Sequence, residues 1–325
     1  MASDHPAPPA GDPLRDVLVL TTRKSFWASP ESHRFPHRVY SPSVHGGSTS
    51  RTNTVLLALK AAAALVRLRP RIVLVGSAHR LVPWLLVLSR FGILRSRVVA
   101  TNKVFFGRRL ARYADRIVVY SRAEVEDARR DRFVPIPADG AFSTVVPHRE
   151  PEPYVFTGGY AERDFQSVVD AVAGLDVRLR LVTSPDCLHV TGPIPPNCEV
   201  SGAVPLDRFL ALMAGAHVVV VPLRGGGSYG HTTVAQALSL GKAVVTTRGA
   251  GVDDYVRDGR EGLLVDPGDV EGYRRALTTL LGDNELRHAC EREALGRAPE
   301  LTYASFARSL EAICRELLDE RPPAR

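Results

Sequence analysis

Residues 217–245 read HVVVVPLRGGGSYGHTTVAQALSLGKAVV. An apolar, β-branched run gives way to Gly225, Gly226, Gly227 and Gly230, and then to a helix-forming segment whose first turn is His231, Thr232 and Thr233. The first part predicts a buried strand and the last a helix. Glycine lets a backbone approach a ligand closely. The unpaired N–H groups of a helix start, with the positive end of its dipole, suit phosphate oxygens, and threonine hydroxyls there add donors. A tight turn capped by threonine would use the same residues, so the stretch by itself establishes strand, turn and helix and leaves the ligand open.

Outward from this unit the same alternation repeats. In the second half, strands are expected at YVFTGG (154–159), VRLRLVTS (177–184), KAVVTT (242–247) and GLLVD (262–266), with helices at 164–173, 205–214, 270–281 and 303–318. In the first half, strands are expected at DVLVLTT (16–22), RIVLVG (71–76), RVVAT (97–101) and RIVVYS (116–121). Helices are expected at 54–68, 81–91 and 106–113, and another after Ser121, where SRAE has the form of a capping box. Residues 133–153 carry five prolines without helical periodicity and read as a linker. Strands alternating with helices imply α/β structure with parallel sheets. Two such domains leave a cleft between the carboxyl ends of their sheets, where ligands bind.

Composition narrows the class. The 325 residues are 45% hydrophobic and 24% charged, ordinary for a globular protein of about two domains. No apolar run reaches the roughly 18 residues of a spanning helix. The first 13 residues read as a disordered leader and not as a signal peptide, and the four scattered cysteines suggest neither a disulfide framework nor a metal site, which together point to the cytoplasm. Charge is uneven: residues 1–150 hold 24 Lys+Arg against 11 Asp+Glu, and residues 151–325 hold 18 against 24. Residues 32–114 contain no carboxylate and 15 Lys+Arg, which suits an anionic partner. With 7% aromatics and no recognised binding motif, nucleic acid is not expected to be that partner. Within this run Trp84, Leu85, Leu86, Val87, Leu88, Phe91, Ile93 and Leu94, flanked by Arg80, Arg90, Arg95 and Arg97, suit either a face that meets anionic lipid or a core helix with arginines reaching solvent.

The second half resembles the donor domain of the GT-B glycosyltransferases, in particular their large family 4 group. A strand ending in Pro, a Gly/Ser loop and a helix ending ALSLGKAVVTT are followed by GAGVDDYVRDGREGLLVDPGDVEGYRRALTTLLGDNELR, and RRLARYADRIVVYSRAEVEDA (108–128) is similar to the same group's first domain. The resemblance implies two Rossmann-like domains facing across a cleft, at about 14–150 and 151–302, with 303–325 a C-terminal helix packing back on the first. It also implies a metal-independent, cofactor-free transfer of sugar from a nucleotide-diphosphate donor. The family's paired glutamates fall on Ser228 and Gln236, so both carboxylates are missing; Gln236 still suits a ribose diol. Arg163, after YVFTGG, takes the role of a pyrophosphate cation, and Val204, Gly230, His231, Thr232 and Thr233 complete the donor side.

On the acceptor side the expected catalytic residues are His79 and Lys103, each after a strand of the first domain. Arg23 and Lys24 are expected to meet an anionic acceptor or the donor phosphate. The acceptor itself is not named by these residues; an anionic or lipid-linked one fits, with peripheral contact at the inner membrane face. Two other readings stay open: a sugar-nucleotide epimerase on the same fold, and a degenerate protein that binds a sugar nucleotide or an anionic ligand without turnover.

Overall fold

The computed structural model describes residues 9–22, 35, 37–41, 51–76, 79–102, 106–138, 151–225, 229–249 and 251–320. The chain divides into two compact units, residues 1–134 with 303–325, and residues 135–302.

In the first unit β1 (Val17–Thr22), β2 (His37–Ser41), β3 (Ile72–Val75), β4 (Arg97–Thr101), β5 (Arg116–Val119) and β6 (Asp131–Phe133) form one sheet in the order β2-β1-β3-β4-β5-β6, with every pairing parallel. Helices α1 (Arg51–Leu68), α2 (Val82–Arg90) and α3 (Gly107–Ala111) contribute to one core against it, through Ala61, Leu85 and Ala111 among others. Parallel strands covered on both faces read as unbroken apolar runs, and β3 and β5 are buried along their whole length. β2 and β6 lie at the sheet's edges and were not legible as strands, because HRVYS and DRF carry no such run. After Ser121 no α-helix forms. Ser121 Oγ accepts from Ala123 N and Glu124 from Tyr120 N, as in a capping box, but the helix stops as a single turn, Arg122–Glu124. Asp131 then takes the N–H groups of Glu126 and Asp127, turning the chain into β6. Within the expected leader, Asp12 caps the turn Pro13–Asp16 and pairs with Arg315.

The second unit has β7 (Tyr154–Gly158), α4 (Phe165–Val172), β8 (Arg178–Val182), β9 (Cys198–Ser201), α5 (Leu206–Gly215), β10 (Val218–Val221), α6 (His231–Ser239), β11 (Val244–Thr247), β12 (Gly262–Val265), α7 (Val270–Gly282) and α8 (Asn284–Arg297). Its sheet, again wholly parallel, runs β12-β11-β10-β7-β8-β9. The four valines of β10 are fully buried, each worth about 1.5–3 kcal/mol by removal from water. The chain leaves β7 towards β8 and returns to β10 on the other side, so the sheet's switch point lies between the carboxyl ends of β7 and β10. That is where open α/β sheets take their ligands. α8 escaped sequence reading because six of its 14 residues are charged and its apolar residues are few; it is started by Asp283, whose carboxylate accepts from Leu286 N. The linker also begins later than its prolines suggest: Ile136 N donates to Tyr255 Oη at 3.0 Å and Ala138 N to Leu301 O at 2.8 Å, so this segment already packs on the second unit. Among the described residues no helix is long and apolar enough to cross a membrane.

Helix α9 (Tyr303–Asp319) belongs to the first unit. Its last turn is gripped by arginines: Arg71 donates to Leu318 O at 2.9 Å, Arg97 to Leu317 O and Glu320 O, and Arg116 and Arg132 to Glu316. Cations belong at the negative end of a helix dipole. Part of the basic excess is therefore structural. Burial opposes the Arg116 charge, but pairing with Glu316 and Glu320 outweighs it and raises its pKa. The Arg132 and Arg116 guanidiniums hold the Glu316 carboxyl below the usual range. A carboxyl depressed in the folded state stabilises above its unfolded pKa of about 4.3, and that contribution is lost as pH falls through the folded value. Because Glu316 and Glu320 stay partly exposed, Arg116→Met is expected to destabilise by about 1–2 kcal/mol at neutral pH rather than by a buried pair's full cost. Urea titrations are expected to show this gap closing below about pH 4.

Candidate functional site

At the switch point the loop after β7 and the loop after β10 are stitched together. Arg163 and Leu223 form an antiparallel bridge, Asp164 N donates to Pro222 O at 3.2 Å, and Arg224 N donates to Glu162 O at 3.2 Å. Asp164 then starts α4 by accepting from Ser167 N. This braid fixes the Arg163 side chain, which lies 6% exposed beneath both turns. Its Nε donates to Gly158 O at 3.3 Å, Nη1 to Ala161 O at 2.8 Å and Nη2 to Thr233 Oγ1 at 3.0 Å. Two glycines make room for it. A Cβ on Gly159 would stand 2.7 Å from Arg163 Nη2, and one on Gly230 would stand 3.2 Å from Nη1 and 2.6 Å from Leu223 Cδ2; φ is +124° and +87° at the two positions. The glycines thus accommodate a guanidinium first, and a ligand only above it.

Above Arg163 is a cavity of about 380 Å3 lined by Gly159, Tyr160, Ala161, Arg163, Val204, Leu206, Phe209, Gly230, Thr232, Thr233 and Gln236. Among the described residues no acidic side chain lines it. Burial pulls the Arg163 pKa down to about 10, and among the described residues no carboxylate pairs with this cation. Helix α6 starts at the cavity wall. Its first internal bond is Val234 N to Gly230 O, which leaves the N–H groups of Thr232 and Thr233 without a helical partner. Gln236, one turn on, is 5% exposed, and its side-chain amide makes no hydrogen bond among the described residues. A buried cation, helix-start donors and an idle amide against an apolar wall of Val204, Leu206 and Phe209 suit an anionic head on an organic body.

Of the expected donor residues, Arg163, Val204, Gly230, Thr232, Thr233 and Gln236 line this one cavity. His231 does not: its ring is buried and stacks on Tyr255, with centroids 5.1 Å apart and planes at 14°. A helix advances about 100° per residue, so neighbours in the first turn cannot all face one side. Ser228, Arg23, Lys24 and Lys103 lie outside the described residues. His79 opens the turn His79–Leu81 after β3, in the other unit. Sequence reasoning missed Tyr160, Ala161, Leu206 and Phe209. Tyr160 stands directly after Gly159 and occupies the half-exposed rim. The apolar wall, Val204 before α5 and Leu206 and Phe209 in its first turns, had no signal beyond its place. Asp253 is engaged locally, accepting from Gly249 N at 3.4 Å. Among the described residues no three His, Cys, Asp or Glu side chains are grouped to hold a metal.

The architecture is that of the GT-B glycosyltransferases. Anabaena HepE in complex with UDP-glucose superposes with a TM-score of 0.68 over 94% of this chain and 93% of that one, at 14% identity. The model of the family described as Glycosyl transferases group 1 matches residues 154–283, the part that builds the cavity. The lipopolysaccharide core biosynthesis glycosyltransferase LpsE of Rhizobium meliloti is 43% identical over 54 residues, 17% of this chain and 16% of that protein. The D-inositol 3-phosphate glycosyltransferase of Corynebacterium kroppenstedtii is 31% identical over 133 residues, 38% of this chain and 29% of that protein. The match thus spans less than a third of the length of either relative.

Gly230→Ala is expected to destabilise by about 1–3 kcal/mol, since φ is positive and the added methyl meets Leu223 and Arg163. His231→Ala is expected to lower stability by about 1–2 kcal/mol through the lost stack and burial, while leaving affinity for a cavity ligand nearly unchanged. Urea melts read the first two effects and calorimetry the third.

Proposed function

We propose that the protein is a glycosyltransferase that takes a sugar from a nucleotide-diphosphate donor held by the second unit. The observation that carries this is Arg163, a buried cation with no carboxylate partner among the described residues, beside the start of α6. Breaking the bond between the anomeric carbon and the phosphate oxygen leaves positive charge on the sugar and negative charge on the diphosphate. Arg163 and the Thr232 and Thr233 N–H groups neutralise the diphosphate, gaining strength as its charge grows. Gln236 takes the ribose diol, and the apolar wall takes the base. No metal or other cofactor enters this scheme. A uridine or guanosine diphosphate is the first choice of probe, in keeping with the UDP-glucose bound by HepE.

The acceptor is assigned to the first unit, where His79 follows β3 and Arg23 and Lys24 follow β1; with Lys103 after β4, these residues come after strands whose carboxyl ends share one side of a parallel sheet. An anionic or lipid-linked acceptor suits a unit with 27 Lys+Arg against 13 Asp+Glu, as does peripheral contact at the cytoplasmic face of a membrane. A second reading, binding without turnover, is favoured by the absence of any carboxylate from the cavity lining. Donor hydrolysis or transfer to a panel of acceptors separates the two.

The test is calorimetry or thermal shift of the full chain with UDP, GDP, ADP and TDP, because a ligand of the native state raises apparent stability. Arg163→Ala is expected to weaken nucleotide binding about 10- to 100-fold, and Thr232→Val less, since the backbone donors survive. The charge on Arg163 is present below its pKa of about 10 and lost above it. Affinity is therefore expected to hold through neutral pH and to fall as pH passes about 10. Unchanged binding in Arg163→Ala would remove the cation from the site.

A further inference from the structure

Helix α2 carries two apolar stripes. Val82, Leu85, Leu86 and Ser89 face the core, while Trp84, Val87, Leu88 and Phe91, spaced the same way, face out. Trp84 is 69% exposed, Phe91 71% and Ile93, just beyond, 70%. A surface helix normally turns a polar face outward, and a contiguous apolar patch of this kind marks an interaction site. Phe91 also lies on the wall of a hollow of about 990 Å3 at the C-terminal end of α2, which Arg90, Arg95, Arg112 and Tyr113 line with it. Arg90 and Arg112 stack on the Tyr113 ring at 5.7 and 4.9 Å. Among the described residues no carboxylate pairs with Arg90, Arg95 or Arg112. Asp115, the acid in the lining, is bound to Val98 N at 2.8 Å, and Arg97 is spent on α9.

From this juxtaposition we infer that the outward stripe of α2 and the arginine hollow beside it form a docking surface for an anionic phospholipid bilayer. The stripe enters the interfacial layer and the arginines meet lipid phosphates. Charge selects this occupant. A nucleic acid or a free phosphate would satisfy the arginines and leave Trp84 and Ile93 in water. An apolar partner protein would cover the stripe and bury unpaired cations, which is costly. A bilayer takes both at once, and nothing in residues 32–114 repels it, since they hold no carboxylate. The inference names the surface behind the peripheral contact proposed above, and rests on exposure and charge rather than on sugar transfer.

The test uses the full chain with Trp27→Phe, which leaves Trp84 as the one tryptophan, and vesicles of phosphatidylcholine with or without phosphatidylglycerol. With anionic vesicles Trp84 emission is expected to shift to the blue and the protein to sediment, less so as salt rises; neutral vesicles are expected to do neither. Arg90→Gln with Arg95→Gln is expected to reduce partitioning by about tenfold or more, and Phe91→Ser with Val87→Ser by a similar factor, with thermal melts unchanged because these side chains are exposed. Absence of sedimentation, equal sedimentation with both vesicles, or indifference to both pairs of substitutions overturns the inference. Self-association lost in the Phe91→Ser, Val87→Ser variant, without vesicle binding, also overturns it and gives the stripe to a second copy. None of these readouts depends on nucleotide binding, so failure here leaves the transfer reading standing, and failure there leaves this one.

Discussion

The second unit is organised around one guanidinium that has nowhere else to go. Arg163 is held by two carbonyls and a threonine hydroxyl beneath two turns, where burial lowers its pKa to about 10. A buried cation without a counter-charge is unfavourable unless something in the functional state offsets it. The surrounding backbone is arranged to keep it there: glycines at 159 and 230 clear its path, and the bridge to Leu223 prevents the loop from swinging it out to water. An anion arriving at the start of α6 supplies what the fold leaves out.

The two units differ in how their charge is used. The first carries 27 Lys+Arg against 13 Asp+Glu and the second 15 against 22. Counting residues 303–325 with the first unit leaves this contrast unchanged, because the segment adds four acids and four bases, and Glu316 of α9 is paired with Arg116 and Arg132. Arg90 and Arg112, which no carboxylate pairs among the described residues, stack on Tyr113 near the end of α2. One basic segment thus divides into a structural part, which holds the C-terminal helix in place, and an outward part at the surface, for which we propose the anionic bilayer.

Central parallel strands were legible in the sequence because burial on both faces leaves an apolar run, as in VVVV of β10 and IVLV of β3. Edge strands β2, β6 and β9 were not, since HRVYS, DRF and CEVS have one side free of the sheet and no need of such a run. α8 was hidden by its charge. For the site, glycine, threonine and arginine announced themselves through residue types that phosphate chemistry requires. The apolar wall of Leu206 and Phe209 did not, because apolar residues in the first turns of a helix look the same whether they face a core or a ligand. His231 shows the opposite error: a chemically apt residue in the right turn can still point into the packing, here onto Tyr255.

The most direct measurement is the position of the phosphates in a crystal structure of the full chain with a nucleoside diphosphate. The account places them at the start of α6, in hydrogen-bond reach of Arg163 and of the Thr232 and Thr233 N–H groups, with the ribose towards Gln236. Phosphates bound elsewhere, with Arg163 still covered only by Gly158, Ala161 and Thr233, would contradict it.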